Sequence, residues 1–290
     1  MEKGCEIRYL RHSPYLSGII NHKSIKMKKL LILITLFIGS NLIAQENLGL
    51  MDFRKVPDQE MKTFMQNEYV YWSKVARVLK EKGQISYWSI NVRSGGARAE
   101  DSNVMAYIGV GSWENYENLG KNYAAAEAEV KSKMDAEKLS LIEENLKQDK
   151  FGSAFFLINN LKYIWAKNQN WKYKVVNYAN AKNALDYTNA EAKLMAPYFE
   201  KAIKSGKTKL QGWKVSTVLS PQGYDFPFNS LTVDFYADFS DIFTSWPENT
   251  QWPEGIEKLN KLKENDGFWR RSIWQRVMYL DSRNNLQTSW

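Results

Sequence analysis

One order of secondary-structure patterns occurs twice between residues 48 and 282, and this repetition most limits the possible fold. In each half a strand, a helix, two strands, a helix and a strand follow one another. In the first half we predict strands at 51–56, 84–92, 103–110 and within 155–167, and helices at 60–82 and 113–150. The apolar register of the helix 113–150 slips between Met134 and Leu139, which favours two helices in place of one. In the second half we predict strands at 173–178, 210–218, 230–236 and 269–280, and helices at 189–205 and 239–263. Matches in the same order, such as Ile164-Trp165-Ala166-Lys167 with Ile273-Trp274-Gln275-Arg276, favour a tandem duplication.

The repeated order is that of the split βαβ unit. With its scattered aromatic residues, the chain resembles the dimeric α+β-barrel (ferredoxin-like) superfamily and is similar to exported bacterial proteins of this kind. The resemblance implies an α+β fold of two ferredoxin-like βαββαβ repeats, 45–170 and 171–290, packed sheet to sheet as a pseudo-dimer. It also implies a range of roles: cofactor-free monooxygenases, haem enzymes that use a histidine, and modules without an activity.

The N-terminal region predicts export. Met27-Lys28-Lys29 precedes the apolar run 30–39, and Ala44 is a small residue at a cleavage position. This is the pattern of a signal peptide at 27–44, and the run is shorter than the roughly 20 residues of a membrane span. We therefore expect 1–26 to be a spurious upstream extension, no membrane span after cleavage, and a periplasmic or extracellular location.

Removal of residues 1–44 changes the chemistry that the chain can perform. The whole chain has a formal net charge of +8, but 45–290 retains 33 basic and 30 acidic residues. A nearly balanced chain gives no argument for nucleic-acid binding. His12, His22 and Cys5 are also removed. The remaining chain therefore cannot form a disulfide, a Ser-His-Asp or Cys-His site, a zinc site of the usual kind, or a haem site with a His or Cys ligand.

Side-chain alternation along the strands suggests a pocket between the sheets. In the last strand Trp274 and Arg276 share a face, and Trp165 is the first-half counterpart of Trp274. In the strand 230–236, Asp234 and Tyr236 are predicted to face the barrel interior. A pocket of these five residues would bind an aromatic or sugar-like ligand by stacking, with a charged pair for orientation. The alternative is that the tryptophans only join the two sheets and Asp234 and Arg276 form a structural ion pair.

Two functional hypotheses follow. The first is a non-catalytic exported module that binds a small ligand or a protein partner, without catalytic residues, cofactor or metal. The second is an enzyme that resembles the cofactor-free monooxygenases or isomerases of the superfamily, with Asp234 or a tyrosine as acid or base. A catalytic site predicts a perturbed titratable group in a solvent-connected cavity, whereas a purely structural role predicts a lumen filled by side chains.

Overall fold

The computed structural model describes residues 47–94, 101–148, 151, 153–167, 169–223, 226–265 and 267–290. The predicted upstream extension and signal peptide lie outside these residues. The strands are β1 (Leu48–Arg54), β2 (Tyr87–Arg93), β3 (Val104–Gly111), β4 (Ser153–Trp165), β5 (Tyr173–Ala179), β6 (Leu210–Ser220), β7 (Ser230–Tyr236), β8 (Arg270–Leu280) and β9 (Leu286–Thr288). The short strand β9 is absent from the sequence-based prediction.

The strands form a closed eight-stranded antiparallel barrel. Their order is β2-β3-β1-β4-β6-β7-β5-β8, β2 pairs with β8 to close the ring, and β9 extends β8. Each half therefore has its second strand beside its third, then its first, then its fourth. The α+β class is confirmed, with the halves joined edge to edge by the β4–β6 and β2–β8 pairs. Closure leaves no unpaired edge in the ring. The finer prediction, two repeats packed sheet to sheet, stays a prediction.

Helices cover the outside of the barrel. They are α1 (Met61–Asn67), a π-helical turn (Glu68–Trp72), α2 (Ser73–Glu81), α3 (Trp113–Glu117), α4 (Leu119–Ser132), α5 (Ala136–Gln148), α6 (Ala184–Lys204), α7 (Asp241–Thr244) and α8 (Ile256–Asn260). The predicted slip in helical register after Met134 corresponds to the break between α4 and α5. Helix α6 continues through Pro197 instead of ending there. No helix in the described ranges combines the length and apolarity that a membrane crossing requires.

The apolar side chains separate into an inner and an outer core. Alternation along each strand sends one set of side chains into the lumen and the other toward the helices. Val75, Leu79 and Trp88 lie in the outer core of the first half, and Phe199 and Trp213 in that of the second. The lumen cluster consists of Met51, Phe53, Met105, Tyr107, Phe156, Ile158, Trp171, Val176, Tyr178, Val218, Phe228, Leu231, Val233, Phe235 and Trp274. The lumen is thus itself an aromatic core, which an eight-stranded barrel is just wide enough to contain.

Candidate active site in the barrel lumen

A cavity of about 780 Å³ occupies one end of the lumen. This is within the roughly 300–1,000 Å³ typical of small-molecule sites. Its walls include Met51, Tyr87, Tyr107, Tyr163, Trp165, Trp171, Val176, Val233 and Phe235. Lys167 and Ser282 also line it and are exposed, so the cavity reaches the surface. Phe53, Phe156 and Trp274 fill the lumen beyond it. The lumen is therefore only partly filled by side chains. A purely structural role predicts a lumen that side chains fill completely.

The charged groups of the cavity are almost all cations. They are Lys80, Lys167, Lys174, Lys214 and Arg276, and Asp281 is the one carboxylate among the described lining residues. Asp281 accepts hydrogen bonds from the backbone of Arg283 and Asn285, so it is engaged within its own turn. A low-dielectric cavity with this excess of positive charge favours an anion, or a substrate that becomes one during reaction.

A hydrogen-bond network holds Lys214 on β6. Its Nζ donates to Asn160 Oδ1 at 3.1 Å, and Ser216 donates to the same oxygen at 2.8 Å. Asn160 Nδ2 donates to the Tyr107 hydroxyl at 3.2 Å. The Lys214 ammonium also lies 4.4 Å from the centroid of the Tyr107 ring, a cation–π distance. Lys214 is therefore a fixed positive charge in the cavity wall.

Lys174 on β5 has a different environment. The residue is 5% exposed, and its Nζ lies 5.6 Å from the centroid of the Tyr107 ring. Within the described part of the chain, no hydrogen-bond acceptor or carboxylate contacts this ammonium. Burial, and then the positive charges of Lys214 and Arg276, hold the pKa of Lys174 well below its ordinary value. Lys174 therefore loses its proton at a lower pH than a solvated lysine does.

Arg276 on β8 is held between two aromatic rings. Its guanidinium carbon lies 3.7 Å from the centroid of Trp171 and 3.6 Å from that of Tyr279. One nitrogen donates to the carbonyl oxygen of Trp171 and another to the Tyr87 hydroxyl at 3.3 Å. Because a guanidinium carries five N–H groups, donors remain for a ligand in the cavity. A stacked, planar donor of this kind is suited to a carboxylate or an enolate oxygen.

Two tyrosines and two close glycine contacts shape the wall between β1, β4 and β6. The hydroxyls of Tyr107 and Tyr163 are 3.4 Å apart. Burial, and then the neighbouring Tyr107, raise the pKa of Tyr163 well above its ordinary value. A Cβ at Gly49 would lie 2.7 Å from the Tyr107 hydroxyl, and one at Gly212 would lie 2.2 Å from Trp165 Cε3. Glycine is needed at both positions, because Tyr107 lies against the backbone at Gly49 and Trp165 lies against the backbone at Gly212.

The structure brings together only part of the predicted pocket. Trp165 and Arg276 line the cavity. Trp274 faces the lumen but is fully buried beyond the cavity, where it contacts Phe53 and donates a hydrogen bond to Ser272 Oγ. It therefore fills the barrel and does not face a ligand.

Asp234 and Tyr236 point the other way, so their predicted orientation is wrong. Tyr236 belongs to the outer core beneath the helices, while its neighbour Phe235 lines the lumen. Asp234 accepts a hydrogen bond from Asn177 at 2.9 Å, and burial raises the pKa of its carboxyl. If Asp234 and Tyr236 faced the interior, Leu231, Val233 and Phe235 would lie on the helix side, but these three residues form the lumen wall. Asp234 is therefore not an acid or base for a ligand in the lumen.

Sequence reasoning missed the two lysines that distinguish the cavity. A weak signal was present, because the strands contain Tyr173-Lys174-Val175 and Trp213-Lys214-Val215. Tyr173 and Trp213 pack under the helices, so the lysine between two outward residues has to face the lumen. A lysine at that position of a buried strand would therefore have indicated a charged lumen.

The available donor atoms do not fit a metal centre or the haem of the histidine-using enzymes. Within the described residues, no group of three or more His, Cys, Asp or Glu side chains is arranged to hold a metal ion. Haem requires an axial donor, and residues 45–290 contain neither histidine nor cysteine. Burial raises the pKa of Tyr87 and of Tyr163, which opposes their ligation as phenolates. The lumen residues therefore do not fit a haem with an imidazole or thiolate ligand.

Comparison with known proteins gave matches among solved structures only. No protein-family model and no curated protein matches the chain. A proposed monooxygenase from Lactobacillus acidophilus NCFM has a TM-score of 0.47 and 9% identity, over 84% of this chain and 97% of that one. An anthrone oxidase-like protein has a TM-score of 0.47 and 10% identity, over 85% and 94%. Chlorite dismutase from Candidatus Nitrospira defluvii has a TM-score of 0.44 and 10% identity, over 81% and 92%. With such values, no specific activity or residue role is transferred to this chain.

These findings correct the first functional hypothesis. The similar structures are named as monooxygenase, oxidase-like and dismutase proteins, and none of these three names describes a non-catalytic module. These names contradict the prediction of a non-catalytic binding module, but at such similarity they assign no activity to this chain. The alternative, an enzyme like the cofactor-free monooxygenases, agrees better with them. Its predicted carboxylate base is not in the lumen, but a perturbed lysine is.

Proposed function

We propose that the chain is a cofactor-free, monooxygenase-type enzyme that acts on an aromatic compound with an acidic C–H group. The observation that carries the proposal is Lys174, a buried lysine that contacts no carboxylate among the described residues and lies in a cationic, aromatic cavity. Such an amine is a general base suited to neutral pH, because its pKa is lowered toward the working pH. Exported location and tandem duplication remain part of the proposal, supported by the signal-like segment 27–44 and by the same strand order in both halves.

The reaction begins with proton transfer. The neutral amine of Lys174 takes a proton from the substrate carbon and leaves a delocalised carbanion whose charge lies largely on an oxygen atom. Lys214 and Arg276 lie in the same cavity wall and stabilise this developing charge by electrostatic attraction and hydrogen bonding. The aromatic walls formed by Trp165, Trp171 and Phe235 hold the planar substrate.

Molecular oxygen is the co-substrate and the oxidant. The carbanion transfers electrons to O₂ and forms a carbon–oxygen bond, which gives a peroxide that recovers the proton from Lys174. Loss of water from the hydroperoxide then leaves a carbonyl group. Overall, a CH₂ group and O₂ give C=O and H₂O, so one oxygen atom enters the product and the other leaves as water. No metal or organic cofactor takes part in this balance.

Anthrone, an aromatic C–H acid, is a direct probe of this reaction. We expect the protein to accelerate O₂ uptake by anthrone, and ¹⁸O₂ to deliver one labelled atom to the quinone product. Substitution K174M removes the base and should lower the rate about 10²–10⁴-fold, as loss of a general base usually does. Equal rates with the wild type and with K174M, after subtraction of the buffer rate, would contradict the proposal.

A further inference from the structure

We propose that the Lys174 amine is also a nucleophile, and that the lumen binds aldehydes or ketones with an anionic group by forming an imine. This proposal rests on the proposed function in one respect, the binding of an anionic substrate in the lumen. It does not depend on the oxidation step. The geometric basis is an amine in the wall of an open cavity, with no hydrogen-bond acceptor or carboxylate against it in the described part of the chain. An amine in this position is free to attack a carbonyl carbon.

The surrounding side chains favour the neutral, nucleophilic form. The ionisable groups of the packed strands that face the cavity with Lys174 are Tyr87 on β2, Tyr107 on β3, Tyr163 on β4, Lys214 on β6, and Arg276 and Tyr279 on β8. None of them is a carboxylate, and Asp281 lies in the turn after β8. A desolvated lysine beside other cations is a recognised arrangement for a Schiff-base lysine. The lowered pKa of Lys174 agrees with this geometry.

The step itself is balanced without another reactant. The amine lone pair attacks the carbonyl carbon, a proton moves from nitrogen to oxygen, and water leaves from the carbinolamine. The product is a C=N bond between the ligand and Nζ, with one water released. The imine nitrogen is neutral, as the amine was, so the charge of the cavity is unchanged.

Lys214 and Arg276 determine which carbonyl compounds bind. Both are fixed by side-chain and backbone contacts in the wall that also contains Lys174. A carboxylate on the ligand can pair with them while its carbonyl group reaches the amine. The aromatic rings of Trp165 and Trp171 favour a planar ligand body. The ligand class is therefore an aromatic aldehyde or ketone that carries an acidic group.

Reductive trapping with 4-formylbenzoate and cyanoborohydride at neutral pH tests the proposal on the full chain. Mass spectrometry of peptides then measures the rate of modification at each lysine. We expect Lys174 to react at least about tenfold faster than the exposed Lys172, because a desolvated lysine beside other cations is an activated nucleophile. The neutral 4-formylbenzamide is the matched probe, and it should modify Lys174 more slowly than the carboxylate does.

Two variants show whether the adduct forms at Lys174. K174R retains a long basic side chain but lacks the nucleophilic amine, and its circular dichroism and Tm report whether it folds. It should show no adduct in the lumen, whereas K172R should leave modification of Lys174 unchanged. The proposal is overturned if Lys174 reacts no faster than Lys172, or if Lys214 is the modified residue. Anthrone oxidation is measured on the unmodified protein, so either proposal is able to fail without the other.

Discussion

The ammonium groups of Lys174 and Lys214 share one aromatic ring: they lie 5.6 Å and 4.4 Å from the centroid of Tyr107. Lys214 donates a hydrogen bond to Asn160, whereas Lys174 donates none to the residues that the structure describes. The two lysines therefore have different roles although they lie in the same wall. Lys214 supplies a fixed charge, and that charge helps to keep Lys174 neutral.

We expect K174M to lower activity about 10²–10⁴-fold and to raise stability at neutral pH. The lysine pKa is lower in the folded chain than in the unfolded one. Between these two values the unfolded chain binds more protons, so wild-type stability falls as the pH decreases below about 10.5. Methionine removes this cost, which we place at about 1–3 kcal/mol. Urea unfolding should show the gain at pH 7 and a smaller gain near pH 10; a loss of stability at pH 7 would contradict the buried amine.

K214M should have the opposite effect on stability. It leaves Asn160 Oδ1 with Ser216 as its remaining side-chain donor. A lost hydrogen bond to a charged group costs about 1.5–3 kcal/mol. We also expect binding of 2-naphthoate, measured by calorimetry, to weaken more than binding of the neutral 2-naphthamide. Equal weakening of both ligands would mean that Lys214 does not recognise charge.

Glu191 in α6 gives the fold a pH dependence that is separate from the cavity. Burial raises its pKa to about 7, although the Tyr187 hydroxyl donates to it at 2.6 Å and Lys263 opposes the shift. The folded chain therefore binds more protons than the unfolded one between pH 4.5 and about 7, and stability falls as the pH rises through this range.

E191Q retains an oxygen that accepts from Tyr187 and removes this titration. We expect the variant to be more stable than the wild type at pH 8, by up to about 3 kcal/mol, and to lose the advantage near pH 4.5. Chemical unfolding at the two pH values measures this difference. A constant difference between them would show that Glu191 does not titrate in this range.

G212A tests the contact between the β6 backbone and Trp165. A Cβ at this position would lie 2.2 Å from the indole, so Trp165 has to move or β6 has to shift. We expect a loss of about 1–3 kcal/mol and a changed Trp fluorescence spectrum. G120A is the matched control because Gly120 is exposed on α4 with nothing within 4 Å of its Cβ. It should leave fluorescence unchanged and raise stability by up to about 1 kcal/mol.

Much of the fold could be predicted from the sequence. The strand 230–236 was predicted with its observed bounds, and the register slip after Met134 correctly separated α4 from α5. These elements have strong local patterns. A barrel was expected from the resemblance, but the β2–β8 pairing that closes it was not predicted, because it joins distant segments and no local pattern specifies it.

The candidate site was harder to predict because both faces of a strand in this barrel are buried, so burial does not show which face lines the lumen. Leu231, Val233 and Phe235 alternate with Asp234 and Tyr236, and the apolar set was placed under the helices when it lines the lumen. In β8 the pairing shifts between Arg276 and Met278, so Tyr279 faces the cavity with Arg276. Regular alternation would place Arg276 and Met278 on one face, so it does not predict that Tyr279 lines the cavity after the bulge.

The central claim is that Lys174 removes a proton from the bound substrate, and anaerobic deuterium exchange into anthrone measures this step directly. With oxygen excluded, only proton abstraction and return remain. We predict exchange well above the buffer rate with the wild type, buffer-level exchange with K174M, and an intermediate rate with R276M, all with folding confirmed by circular dichroism. Wild-type exchange at the buffer rate, or K174M exchange at the wild-type rate, would contradict the account.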